Sequence, residues 1–271
     1  MSYKMIVLDL DGTLMSSKNE ILPATKEALI SIQKQGVKVV LATGRPTYGL
    51  LKATEELHLE EFGGYTLSFN GGRIINAKTK EMIYDKSLTP EICHELFDVS
   101  RELGINIMAY DEESIITTDN DEYIQTESRI NDMPIRRVDN FKEAVLANSV
   151  KCLATGDPDY IAEVEQKIIS RYEGRLSICR STPFFLEFMP QNISKAYSLQ
   201  KLLDHLGLDK SEMIACGDGY NDLSMIEFAG LGVAMENAVD EVKEKAQYVT
   251  SSNDDNGIVQ VIEKFILKNC G

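Results

Sequence analysis

No apolar run in this 271-residue chain approaches the roughly 20 residues that a membrane-spanning helix needs. The opening stretch, residues 1–12, sets acidic residues where a secretory leader needs a long apolar segment. The expectation is a cytoplasmic protein with no membrane partner. Basic residues are also in deficit: 28 Lys and Arg stand against 43 Asp and Glu, for a net charge of −15. Phosphate backbones need clustered Lys and Arg, so no nucleic-acid partner is expected. The same deficit means that a site for a small anion must draw positive charge from a metal or from a few placed cations. The cysteines, Cys93, Cys152, Cys179, Cys216 and Cys270, are odd in number, and no two have the spacing of a zinc or redox pair. They read as buried or surface thiols in a reducing compartment.

What is present is an ordinary globular composition, 43% hydrophobic and 26% charged. The length suggests two domains, or one domain with a large insertion. Met5 to Leu8 is a short continuous apolar run, the pattern of a strand buried on both faces of a parallel sheet. A helical pattern opens at Pro23 and stops at Gly36; a second run, Val37 to Ala42, follows. After a helical stretch from Thr47 to Leu57 comes a third run, Tyr65 to Phe69, ending in Asn70-Gly71-Gly72. Strand, helix, strand, helix, strand is the form of a doubly wound α/β sheet. The C-terminal part repeats it: a helix over Ser194–Leu206, a strand over Met213–Cys216, a helix over Asn221–Phe228, and a strand over Leu231–Ala234. The middle has more polar strands beside hairpin-like turns, with helices over Pro90–Leu103 and Pro158–Tyr172. The expected organisation is a mostly parallel core in two pieces, 1–82 and 190–271, interrupted by an inserted α+β unit with antiparallel strands at 83–189.

Polar residues gather where these core strands end: Asp9 and Asp11, Thr43, Asn70 and Asp218. Ligands of open α/β sheets bind outside the carboxyl ends of the strands, so these positions are expected to converge. Asp9 and Asp11 flank Leu10, and Gly12 then lets the chain turn sharply. Two such close carboxylates repel unless a cation intervenes or one is protonated. One can serve as a nucleophile and the other as a general acid and base, or both can be plain metal ligands. Gly217-Asp218-Gly219-Tyr220-Asn221-Asp222 adds two more carboxylates at a strand-to-helix junction, where Asp and Asn also serve as helix caps. Four converging carboxylates require a cation. The expected ligands are all oxygens, and His58, His94 and His205 lie in helical stretches, which favours Mg²⁺ over zinc. Thr43-Gly44-Arg45 offers a hydroxyl, a close backbone N–H and a following helix start, the parts of a phosphate cradle. Lys195 sits at a helix N-terminus, against the helix dipole; that placement points to a task such as neutralising a phosphoryl group or keeping Asp9 ionised. Asn70-Gly71-Gly72 reads as a tight turn into the insertion, and Ser251–Asn256 as a solvated loop near the strand ends.

In this order, Asp9-Leu10-Asp11-Gly12-Thr13-Leu14, Thr43-Gly44-Arg45-Pro46, Lys195 and Gly217–Asp222 resemble the motifs of the haloacid dehalogenase superfamily. The insertion is similar to the cap of its Cof-type sugar-phosphatase subfamily. The resemblance implies a Mg²⁺-dependent phosphatase acting on a small phosphorylated metabolite, with sugar phosphates foremost. Asp9 would be the nucleophile that forms an aspartyl-phosphate, and also a metal ligand. Asp11 would protonate the leaving oxygen and then activate water, while its backbone carbonyl binds the metal. Thr43, Gly44 and Asn221 would hold the phosphoryl oxygens, and Lys195 would neutralise charge there. Asp218 would bind the metal directly and Asp222 through water or from behind. The inserted domain would close over the site and select the substrate. Ala196 departs from the Gly that more often follows the lysine. A monomer or weak homo-oligomer is expected. The alternatives are a sugar-phosphate phosphotransferase or mutase, which shares the aspartyl-phosphate, and a phospho-accepting signalling module.

Overall fold

The structure, a computed structural model, describes residues 3–267. Cys270 lies outside the described residues. In chain order the strands are β1 (Met5–Leu8), β2 (Lys38–Ala42), β3 (Tyr65–Ser68), β4 (Arg73–Asn76), β5 (Met82–Asp85), β6 (Asn106–Tyr110), β7 (Ile115–Thr117), β8 (Ile135–Arg137), β9 (Cys152–Thr155), β10 (Leu176–Thr182), β11 (Phe185–Pro190), β12 (Met213–Gly217), β13 (Leu231–Ala234) and β14 (Tyr248–Val249). They form two sheets, in the orders β14-β13-β12-β1-β2-β3-β4-β5 and β10-β11-β9-β6-β7-β8. The chain divides into two compact units. One comprises the chain up to Tyr84 together with the chain from Ser194 onward; the other is Asp85–Ile193. The first divide falls just beyond position 82, because β4 and β5 extend the first sheet before the chain leaves it, and the second falls between Ile193 and Ser194, after β11 has ended.

The first unit is the α/β core. Its strands from β14 to β3 are parallel, and β4 returns antiparallel to β3. β1 is completely buried because both faces of the sheet are covered. Successive side chains alternate: Ile6 and Leu8 join Leu29, Ile32, Ile258 and Val261 on one face. Met5 and Val7 join Leu199, Leu202 and Ile226 on the other. The expectation of a run without polar alternation is met for this reason. From β1 the chain winds outward to β2 and β3, and after the insertion it returns to pair β12 against the opposite side of β1. The winding direction therefore reverses at β1, where doubly wound sheets open a crevice at the strand ends.

The second unit packs its sheet on the helices Pro90–Leu103 and Pro158–Ile169. Ile107, Ala109, Cys152, Ala154, Leu186 and Phe188 share a core with Cys93, Leu96, Ile161 and Val164. Most neighbours in this sheet are antiparallel, but β7 and β8 are parallel. The expected antiparallel strands make up most of the sheet, and the β7–β8 pair is the exception. A parallel pair needs a crossover, and the helix Glu122–Asn131 supplies it. Sequence reasoning missed this helix because it is mostly polar: among its ten residues only Ile124, Glu127 and Asn131 are buried. Among the described residues no helix is long and apolar enough to cross a membrane.

Candidate active site

Asp9 is the residue at which β1 ends. Its backbone N–H donates to the Cys216 carbonyl at 3.0 Å, so the β1–β12 pairing continues up to it. The side chain is buried and meets Lys195, whose Nζ donates to Asp9 Oδ1 at 2.7 Å, to Asp222 Oδ1 at 2.6 Å and to the Ala42 carbonyl at 2.8 Å. Lys195 is 1% exposed. It opens the helix Lys195–Leu206, whose preceding Ser194 accepts from the Tyr197 N–H through its side chain. An ammonium with three short acceptors ties the ends of β1, β2 and the Asp222 turn together.

Asp222 takes the capping role that its sequence suggested and, in addition, an unforeseen contact with Lys195. Oδ2 caps the turn, accepting from the N–H groups of Asp218 at 2.9 Å and Gly219 at 3.0 Å. Oδ1 takes Lys195. Asp218 Oδ1 accepts from the Thr13 hydroxyl at 2.7 Å. Gly12 makes this approach possible: its φ is +80°, and a Cβ there would stand 2.3 Å from Asp218 Oδ2. Oxygens of Asp9, Asp218 and Asp222 all lie within 4.8 Å of one another. Burial pushes the Asp9 carboxyl up to about 8; Lys195 pulls against that rise and Asp222 adds to it. Burial likewise pushes Asp218 up to about 6, with the Thr13 hydroxyl opposing. Burial alone would lower Lys195, but Asp9 and Asp222 outweigh it and hold its ammonium above the usual range. Three carboxylates against one ammonium leave a surplus of buried negative charge. Hard oxygen donors with that surplus fit a divalent cation such as Mg²⁺.

Asp11 is not in this trio. Its carboxylate turns to Arg45, whose Nε and Nη2 donate to Oδ2 at 2.8 Å and Oδ1 at 2.5 Å. Three of the four carboxylates expected to converge therefore gather, and the fourth stands aside.

At the end of β2, Thr43 is buried and its Oγ1 accepts from the Arg45 N–H at 3.2 Å. Asn70 adopts a left-handed conformation, φ +55°, and its N–H donates to the Thr43 carbonyl at 2.9 Å. Its side-chain amide lies against Gly44, where a Cβ would come within 3.2 Å, and accepts from Asn221 Nδ2 at 3.0 Å. Thr43, Gly44, Asn70 and Asn221 thus form one polar ridge. Asn-Gly-Gly does make the expected turn, but it leads into β4 of the core sheet rather than into the insertion. Asn70 is among the strand-end residues expected to converge, but nothing local names Asn221, 151 residues away, as its partner. The Ser251–Asn256 loop also does more than face solvent. Asn253 Nδ2 donates to the Met15 carbonyl at 2.9 Å and Asp254 accepts from the Ser17 N–H at 2.8 Å. Asn237 Nδ2 donates to the Gly12 carbonyl at 2.8 Å. The segment after Asp11 is pinned by these contacts.

The haloacid dehalogenase-like hydrolase family matches residues 6–262. A crystal structure of a haloacid dehalogenase-like hydrolase from Bacteroides thetaiotaomicron is 47% identical, with a TM-score of 0.93 over 97% of this chain and 99% of that one. A Streptococcus pyogenes protein named "Putative phosphatase" is 36% identical over 98% of this chain and 100% of its own length. A sugar phosphatase of subclass IIB of the superfamily is 26% identical, with a TM-score of 0.78 over 97% of this chain and 98% of that one. With Asp9 at its strand end, the buried lysine and the acidic turn all in the matched span, the chain belongs to the haloacid dehalogenase superfamily, in its Cof-type branch and among its phosphatases.

Proposed function

We propose that the protein is a Mg²⁺-dependent phosphatase that hydrolyses phosphate monoesters of small metabolites, sugar phosphates foremost, through an aspartyl-phosphate on Asp9. The observation that carries this reading is the buried ammonium of Lys195 shared by Asp9 and Asp222, with Asp218 beside them, where β1 ends. Phosphate monoesters are among the slowest esters to hydrolyse, so the enzyme must supply a nucleophile, charge neutralisation and a proton donor together.

Asp9 attacks phosphorus in line with the leaving oxygen, and the P–O bond breaks as the Asp9–phosphorus bond forms. Protonated on one oxygen while the other still accepts from Arg45, Asp11 gives its proton to the departing oxygen. It then takes a proton from the water that attacks the aspartyl-phosphate and frees Asp9. Lys195 offsets the charge that builds on Asp9 and the phosphoryl group. The Thr43 hydroxyl, the Gly44 N–H and the Asn221 amide hold the phosphoryl oxygens. Asp9 and Asp218 would ligate Mg²⁺, with Asp222 behind them, because both Asp222 oxygens are spent on protein donors. When bound, the ion supplies positive charge against the equatorial oxygens. The similarity to a sugar phosphatase supports the choice of substrate class. The protein is proposed to act in the cytoplasm, as a monomer or weak homo-oligomer.

The test is a panel of phosphorylated metabolites assayed for inorganic phosphate with Mg²⁺. Sugar phosphates are expected to lead, chelator to stop turnover, and Asp9→Asn to abolish release while keeping the fold. Near wild-type turnover by Asp9→Asn would overturn the mechanism. Transfer of the phosphoryl group to a second sugar without phosphate release would favour the phosphotransferase alternative.

A further inference from the structure

We propose that Arg45 is a positioning residue for Asp11: its guanidinium fixes where the acid and base group stands, through a two-pronged ion pair. The inference rests on the reading of Asp11 as the proton donor and acceptor of an aspartyl-phosphate phosphatase.

The pair is matched edge to edge, Nε to Oδ2 and Nη2 to Oδ1. A planar guanidinium meeting a planar carboxylate this way sets direction as well as distance, which a lysine ammonium does not. Its worth is not in stability. The Asp11 side chain is 54% exposed, and ion pairs at such positions contribute little to folding. Arg45 itself is held from several sides. Its N–H donates to Thr43 Oγ1 and its carbonyl accepts from the Phe69 N–H at 3.0 Å. Arg45 lines a cleft that is apolar at Leu10, Met15, Ile21 and Ala53 and polar at Asn19, Lys52 and Glu56. Apolar walls of that kind restrict an arginine stem while leaving its head polar.

The partner turn is held as well. Asp11 follows β1 and Arg45 follows β2, and these strands are paired, so the two turns are neighbours. Gly12 and Met15, just beyond Asp11, are fixed by Asn237 and Asn253. Asp11 therefore stands between two anchored segments, with its carboxylate drawn off the Asp9, Asp218 and Asp222 trio. That separation leaves the trio to a cation; in its acid form Asp11 keeps one prong, Nε to Oδ2, and Oδ1 carries the proton. Sequence alone gave no such role to Arg45; as the third residue of a Thr-Gly-Arg tripeptide it looked like part of the phosphate cradle.

The experiment compares Arg45→Met and Arg45→Lys with the unmodified enzyme on two substrates. One is p-nitrophenyl phosphate, whose leaving group needs no proton; the other is the best sugar phosphate of the panel, whose leaving group does. Loss of positioning predicts that kcat/KM for the sugar phosphate falls by ~100-fold, the cost of a misplaced acid, while that for the aryl ester stays within ~3-fold. kcat falls for both, because release of phosphate from Asp9 also needs Asp11, and a burst of p-nitrophenol precedes slow turnover. Arg45→Lys is expected to stay impaired, having the charge without the fork. Adding Arg45→Met to Asp11→Asn is expected to cost nothing further, since both remove one function.

A rise in KM of equal size for both substrates would mean that Arg45 binds the phosphate itself, and would overturn the inference. So would full recovery in Arg45→Lys, or a parallel loss on both substrates with a lowered Tm. Failure of the underlying reading looks different: the unmodified enzyme releases no phosphate from either substrate, and both conclusions fall together.

Discussion

Lys195 stands at the first position of its helix, where a cation opposes the helix dipole, and it is buried as well. Both costs are met by Asp9 and Asp222, which is why an unfavourable local choice marked a functional residue before any fold was known. The same cluster sets a pH dependence. Burial raises Asp9 to about 8 and Asp218 to about 6, so at lower pH protons occupy oxygens that a cation needs. A carboxyl whose value in the fold lies above its unfolded value contributes stability at low pH and loses it as pH rises through the folded value. The metal-free protein therefore carries an electrostatic burden that grows as pH rises from the ordinary carboxylate value of 3.8 to about 6 for Asp218 and to about 8 for Asp9, and a bound cation would relieve it. Mg²⁺ affinity and the rise in Tm on adding Mg²⁺ are both predicted to increase over that window, with protons released on binding. Calorimetric titration in two buffers of different ionisation enthalpy measures this, and an affinity independent of pH would contradict it.

Among elements, the turns at the strand ends matter more than the strands. β1, β2 and β12 were legible as apolar runs because both sheet faces are covered, and their C-terminal polar residues announced the site. The contacts that shape the site were not legible, because they join segments without any local pattern: Arg45 to Asp11, Asn70 to Asn221, and Asn253 to Met15. Ala196 occupies the position where the family more often has glycine. The start of the Lys195 helix comes close at Gly71 instead, whose φ is +103° and where a Cβ would stand 2.6 Å from the Ser194 carbonyl oxygen. Ser198 Oγ also donates to the Gly71 carbonyl at 2.5 Å. Gly71→Ala must therefore push the helix start away or strain the turn, at a cost of about 1–3 kcal/mol. Urea denaturation is expected to show that loss. Activity is expected to fall by far more than the stability change, because Lys195 moves with the helix start. A variant with full activity would show that this close approach does not position Lys195.

On the scale of the whole molecule, the site exists because the two ends of the chain share one sheet. β1 pairs with β12 across an insertion that folds as its own unit, and Asp9 meets a lysine 186 residues away. The division into a core in two pieces and an inserted unit followed from the change in strand character along the sequence. The parallel β7–β8 pair inside the insertion did not, because its crossover helix shows little apolar periodicity. This assembly is proposed to make Asp9 a nucleophile. The most direct measurement is acid quenching of the enzyme during turnover of a sugar phosphate with Mg²⁺, followed by mass spectrometry of the peptide that contains Asp9. A phosphoryl group on Asp9 is expected, forming and decaying at rates consistent with turnover and absent in Asp9→Asn. Phosphate release with no phosphoryl group on Asp9, or with the group on another residue, would contradict it.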